Sequence, residues 1–197
     1  HIVSEEQNWK TLKLAEKYLG DGVVGIDLAG DESKYSVKLY SKFFEYAKSA
    51  GIPITCHAGE AGPASEVYEA IKLGANRIGH GTHIYEDEEV MKIVKDKEVS
   101  LEICLTSNVQ TQVVDDITNH PFKLYYDYGI KTTINTDDPS VSGIDLSSEL
   151  LLACKVFGLG INDIIQLIIN SIDASFTTVE HKKVLKEEVL KFQKQIS

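Results

Sequence analysis

Two histidines, one glutamate and a pair of adjacent aspartates have types and spacing that suit hydrolytic chemistry. They are His57 with Glu60 three residues later, His80 between two glycines, and Asp137-Asp138 before Pro139. Imidazole nitrogens and carboxylate oxygens are ligands for a zinc-type ion, and such an ion makes hydroxide available from water at neutral pH. Taken singly, each residue also has an ordinary structural reading. A histidine in an apolar strand is commonly a satisfied core residue, and adjacent carboxylates in a turn are commonly helix N-caps. A glutamate opening a helix is favoured there by the helix dipole. His80 differs because Gly79 and Gly81 remove side-chain bulk on both sides and let another group approach. Beside a metal, Glu60 becomes a proton donor when burial favours its protonated form. Successive residues of an extended chain face opposite sides, so one of Asp137 and Asp138 can meet a metal while the other addresses a ligand. The same alternation separates Cys56 from His57, and Cys56, Cys104 and Cys154 read as small core residues. His120 and His181 read as surface positions, and His83 as a loop residue.

Short apolar segments separated by turn signals predict five strands to carry these groups: Val23–Leu28, Ile52–Cys56, Arg77–Gly79, Val99–Leu105 and Thr132–Asn135. Helical periodicity fills the gaps, over Glu5–Tyr18, Tyr35–Ala50, Ala64–Leu73, Asp87–Lys95 and Pro121–Tyr128. Gly51, Gly74 and Gly129 supply stop signals. Strand starts near 23, 52, 77, 99 and 132 give repeats of 22 to 33 residues, the length of a βα unit in a parallel sheet. Read to their C-terminal ends, the strands deliver Asp27 and Gly30-Asp31-Glu32; His57 and Glu60; His80; Glu102 and Thr106-Ser107-Asn108; and Asp137-Asp138. Chemistry gathered at that end of every strand fits a (β/α)₈ TIM barrel, the predicted fold class, although a doubly wound sheet also concentrates sites there. A doubly wound nucleotide-binding sheet needs a Gly-rich phosphate turn, and neither GxGxxG nor GxxxxGK[ST] occurs. Helices alone follow: Leu146–Phe157, Asp163–Ile172 and Val179–Gln195. The last reads as an outer helix packed by one apolar stripe. Residues 1–197 read as a single domain.

Composition narrows the function classes. Twenty Lys+Arg against 30 Asp+Glu leave a formal charge of −10, and Arg77 is the only arginine. Nucleic acid is therefore not expected as a partner. No apolar run approaches the ~20 residues that span a bilayer, so no membrane segment is expected. Three widely spaced cysteines form no disulfide framework, and a cytoplasmic location is the expectation.

Five ordered blocks resemble the signatures of the adenosine deaminases. They are Gly25-Ile-Asp-Leu-Ala-Gly30-Asp-Glu32, His57-Ala-Gly-Glu60, Arg77-Ile-Gly-His80-Gly81, Cys104-Leu-Thr-Ser-Asn-Val-Gln-Thr111 and Asn135-Thr-Asp-Asp-Pro139. The resemblance spans about Ser4 to Lys191 and implies a metal-dependent (β/α)₈ hydrolase with one Zn²⁺ per site. It implies a small purine nucleoside as ligand, and conversion of adenosine or deoxyadenosine to the inosine product and ammonia in purine salvage. It further implies that His57 and Asp137 ligate zinc, that His80 and Asp137 orient the zinc-activated water, and that Glu60 protonates purine N1. Gly30 would hold N3 through its backbone N–H, and Asp138 would address N7. The Thr-Ser-Asn-Val-Gln-Thr and Asn-Thr-Asp-Asp-Pro blocks look more like adenosine enzymes than like the adenine deaminases of the same family, which are the alternative.

The family draws two further zinc ligands from a His-x-His pair on its first strand, and no His-x-His occurs among the six histidines here. His1 matches the end of the family's third strand. The expectation is a C-terminal barrel portion of five strands lacking the first three. A catalytically silent fragment is the second alternative. Association with the absent N-terminal half or with another copy would cover the open barrel edges.

Overall fold

The computed structural model describes residues 4–196; the expectation for His1 lies outside the described residues. The chain divides into two compact units, His1–Leu101 and Glu102–Ser197. The first alternates helix and strand: α1 (Glu5–Lys17), β1 (Ile26–Leu28), α2 (Ser41–Ser49), β2 (Ile54–Ala58), α3 (Ala64–Leu73), β3 (Arg77–His80) and α4 (Glu88–Asp96). Then β4 (Ser100–Ile103) runs across the sequence boundary. The second unit continues with α5 (Leu105–Gln110), α6 (Phe122–Tyr128), β5 (Thr132–Ile134), α7 (Pro139–Ser142), α8 (Leu146–Phe157), α9 (Ile161–Ala174) and α10 (Val179–Ile196).

Local chemistry accounts for most boundaries. Ser4 and Gln7 close a capping box on α1. Pro63 opens α3 and Gly74, at φ +113°, stops it, so this helix has the bounds that its sequence predicts. The predicted helix over 35–50 instead splits into a 3₁₀ turn, Val37–Tyr40, and α2, because the Ser36 hydroxyl accepts from Lys38 N–H and holds the first turn tight. Strand β2 lies two residues later than predicted. The Ile52 N–H is taken by the Ala47 carbonyl at 2.9 Å, closing α2, and Pro53 has no N–H to give. His57 is therefore inside the strand rather than just beyond it.

In the first unit β1, β2 and β3 pair in parallel, with Asp27 opposite Thr55, His57 opposite Gly79 and Ala58 opposite His80. The core of this unit includes Phe43, Phe44 and Ala47 of α2, Val67, Ala70 and Ile71 of α3, and Val90, Met91 and Val94 of α4, all buried, with α3 packed on β2. Burial of each large side chain contributes about 1.5–3 kcal/mol.

In the second unit the Asn135 N–H donates to the Ile103 carbonyl at 2.8 Å, joining the ends of β4 and β5. Phe122, Tyr125, Ile134, Ala153, Ile165 and Leu167 are buried there. Buried Asn170 of α9 donates to the Thr132 carbonyl at 2.9 Å. Helix α10 packs against α9 as an outer helix by one stripe of half-buried positions, Lys182, Leu185, Lys186, Val189 and Gln193, while Val179, Val184 and Phe192 of the predicted apolar stripe are more than half exposed. Polar ties to α9 add to this packing, through Lys186–Asp173 at 2.6 Å and Gln193–Asn162 at 3.2 Å.

Candidate active site

The parallel register of the first unit places the candidate residues. Asp27, Thr55, His57 and Gly79 share one face of the sheet, by pairing and by the two-residue repeat. Opposite His57 only a glycine fits: a Cβ at Gly79 would stand 2.8 Å from His57 Cδ2. The imidazole fills that space, edge-on to His80 with ring centroids 4.8 Å apart. Asp27 Oδ2 lies 3.2 Å from His57 Nε2, and His80 Nε2 lies 3.6 Å from Glu60 Oε2. One donor atom from each of His57, Glu60 and His80 falls within 4.8 Å of the other two. Two imidazoles and a carboxylate converging from two strands and a loop match the donor chemistry of a zinc-type ion. Cys56 faces away, as alternation predicts, and burial pushes its thiol well above the ordinary range.

His80 is buried and its backbone is left-handed, at φ +64°. Asp137 is the counterpart in the second unit, at φ +55°. A left-handed backbone costs most non-glycine residues about 1–2 kcal/mol, and Asp is among the few that visit it readily. Two of the four described non-glycine residues with positive φ, His80 and Asp137, are candidate site residues, and both are of types that adopt this region more readily than most.

In the second unit Ser107 Oγ donates to Asp137 Oδ2 at 2.7 Å. Ser107 belongs to a helix, α5, that was not predicted; the Thr106-Ser107-Asn108 block is its body rather than a loop. Asp138 precedes α7 and makes no side-chain cap bond, so the N-cap alternative for it does not hold. Asp137 and Asp138 are both exposed, and Gly30 is an exposed loop residue at φ +128°.

Some placements depart from expectation. His120 is buried rather than on the surface: its Nδ1 accepts from Phe122 N–H at 3.0 Å, and its Nε2 faces Asn108 Oδ1 at 3.2 Å. That pairing ties the α5 block to the start of α6. His181 is exposed as expected, and His83 follows β3 with its Nδ1 3.2 Å from the Gly59 carbonyl. Cys56 and Cys104 are buried, but Cys154 is only half-buried.

Glu149 escaped the sequence reading, and Glu32, named among the strand-end groups, was given no role there; both are buried. Glu32 accepts backbone N–H bonds from Gly59, Glu60, Ala61 and Gly62 at 2.6, 2.9, 3.0 and 3.1 Å. Glu149 of α8 accepts the Thr106 N–H at 3.0 Å and the Thr106 hydroxyl. Glu32 at least sits in a quoted block; Glu149 had no signal beyond being an acid within an apolar helix.

Comparison with known proteins finds relatives of this chain. The family model described as adenosine deaminase matches residues 2–192. The chain is 44% identical over 178 residues to adenosine deaminase of Clostridium acetobutylicum, covering 90% of this chain and 53% of that protein. It is 41% identical over 170 residues to that of Escherichia coli O1:K1 / APEC, covering 86% and 51%. The chain thus spans about half the length of these curated relatives. Among solved structures, adenine deaminase from Arthrobacter aurescens superposes with a TM-score of 0.87 at 30% identity, over 95% of this chain and 58% of that one. Arabidopsis ADAL, solved with GMP and with IMP, gives TM-scores of 0.87 and 0.88 at 31% identity, over 96% of this chain and 55% of those. The family is metal-dependent, and the Arabidopsis ADAL structures hold small purine ligands, GMP and IMP. The chain has the α/β fold of a (β/α)₈ barrel portion and belongs to the adenosine deaminase family.

Proposed function

We propose that this chain carries proton-transfer, metal-binding and purine-binding residues of a hydrolytic deaminase that converts adenosine or deoxyadenosine and water to inosine or deoxyinosine and ammonia. The observation that carries it is the convergence of His57, Glu60 and His80 within 4.8 Å. Zinc is the proposed metal, one ion per site, with His57 and Asp137 as ligands. When bound, zinc supplies acidity to a water, lowering its pKa from near 16 to about 7.

The side chains do the rest. Glu60 hands a proton to purine N1, which makes C6 electrophilic. His80, held rigid by burial and by its backbone, hydrogen-bonds the oxygen that attacks C6 as negative charge develops there. Ser107 fixes the Asp137 carboxylate. Gly30 N–H holds purine N3, Asp138 addresses N7, and ammonia leaves from the tetrahedral carbon. We read the chain as one domain in a cytoplasmic setting, consistent with three cysteines and no described disulfide. Among the described residues no helix is long and apolar enough to cross a membrane.

Glu60→Gln is expected to lower turnover of adenosine by about 10²–10⁴-fold; unchanged turnover removes Glu60 from its role. Adenine consumed faster than adenosine would move the assignment to the adenine deaminases. A second reading, a silent fragment, is favoured by the absence of His-x-His from the sequence. Zinc analysis and assay of these 197 residues, beside a longer form that supplies that pair, separate the two. Stoichiometric zinc with turnover by this chain alone defeats the silent reading.

A further inference from the structure

We propose that Glu32 is the positioning residue of the loop that presents Glu60, acting through backbone amides alone; this rests on the proposed role of Glu60 as proton donor. Four successive N–H groups, from Gly59 to Gly62, converge on one carboxylate 27 to 30 residues earlier in the chain. Oε1 takes Gly59, and Oε2 takes Glu60, Ala61 and Gly62. The loop leaves β2 and turns into α3, so its N–H groups have no strand or helix partner of their own. A charged acceptor makes such bonds shorter and stronger than a neutral one does.

The glycines of the loop follow from this arrangement. A Cβ at Gly62 would stand 2.7 Å from Glu32 Oε1. Gly59 sits at φ +69°, and a Cβ there would stand 2.7 Å from Val67 Cγ2. The other side of the Gly59 residue is held as well, its carbonyl accepting from His83 N–H at 2.8 Å. Glu32 is in turn steadied through its own loop, where Glu66 of α3 accepts from the Ser36 hydroxyl at 2.9 Å and from Val37 N–H at 2.8 Å. Movement of the Glu32 carboxylate therefore moves the backbone of Glu60 directly, and with it the reach of its side chain toward His80.

Amide hydrogen exchange on the full chain tests this without requiring activity. Glu32→Gln puts an NH₂ donor against amide donors, and Gly62→Ala displaces the carboxylate from the other side at a position whose φ any residue can adopt. Both variants are expected to speed exchange roughly 10- to 100-fold at loop amides among Gly59–Gly62, with β2 and α3 interiors unchanged. Glu88→Gln on the exposed first turn of α4 is the charge-loss control. In the form that turns over, Glu32→Gln is expected to lower kcat roughly 10- to 100-fold with KM within about threefold, and to add nothing to Glu60→Gln. Unchanged loop exchange, loss of protection spread through β2 and α3, or additive effects of the two variants would overturn the proposal. Wild-type protein with the expected exchange pattern but no turnover of adenosine would count for the hold of Glu32 on the loop and against the deaminase reading.

Discussion

Each unit contains one buried glutamate that captures backbone from the segment carrying its candidate residues, and the two do so to different extents. Glu32 takes four consecutive N–H groups, whereas Glu149 takes one N–H and one hydroxyl, both from Thr106. The difference lies in what they hold. Gly59–Gly62 is an irregular turn with no internal ladder, so an outside acceptor must supply every bond. Thr106 is the second residue of α5, whose later amides bond within the helix: Asn108 N–H to Cys104 and Thr111 N–H to Ser107, at 2.9 and 2.8 Å. Only first-turn amides are left over, and Cys104 offers no side-chain cap. Glu149 acts as a cap supplied from another helix. A regular element needs one external tie, and an irregular one needs as many as it has amides.

Variants can sharpen that contrast. The largest effect is expected in the first unit from Gly79→Ala, where a methyl group 2.8 Å from His57 Cδ2 must push the ring aside. Zinc affinity should fall about 100-fold, the scale of a misplacement of ~1 Å, and isothermal titration with zinc would measure it. Undiminished affinity would remove His57 as a ligand. Ser107→Ala should cost about tenfold in the same titration, because Asp137 keeps its place in the turn but loses one oriented bond. Glu149→Gln should lower stability by about 1–3 kcal/mol in urea unfolding, by depriving Thr106 of its charged acceptor. A variant as stable as the parent would mean that Glu149 caps nothing.

The smallest effect concerns pH. The Gly160 N–H, and after it the Tyr126 hydroxyl, hold Asp163 below its ordinary carboxylate range. The Tyr126 phenol is pushed up to about 12, by burial first and by Asp163 second. A depressed carboxylate pKa stabilises the fold above the unfolded value, near 4, and that contribution is lost as pH falls through the folded value. Tyr126→Phe should therefore lower Tm slightly at pH 7 and leave less acid-dependent loss below pH 4. An identical acid limb in both proteins would refute the coupling.

The sequence exposed the repeating βα plan because apolar periodicity and Gly or Pro punctuation report local structure directly; α3 is bracketed by Pro63 and Gly74. It missed α5 and α7, which have only six and four residues, too short for a period to register. It placed β2 two residues early because Ile52 is as apolar as a strand residue but is spent on closing α2. His57, Glu60 and His80 were legible from residue type and glycine context. Glu32 and Glu149 work on backbone far away in sequence, and no local pattern encodes a long-range acceptor. The buried His120 was misread because a histidine before proline looks like turn chemistry until its partner, Asn108, is seen.

Asp137 shows where folding and chemistry ask for the same residue. Its backbone is left-handed and its surroundings are open to solvent. By backbone preference the position suits glycine, asparagine or aspartate. The chain keeps a carboxylate there and steadies it with Ser107. Of the residues that this backbone tolerates, aspartate alone brings a carboxylate, so the conformation of the turn and its chemistry narrow the position to one residue type.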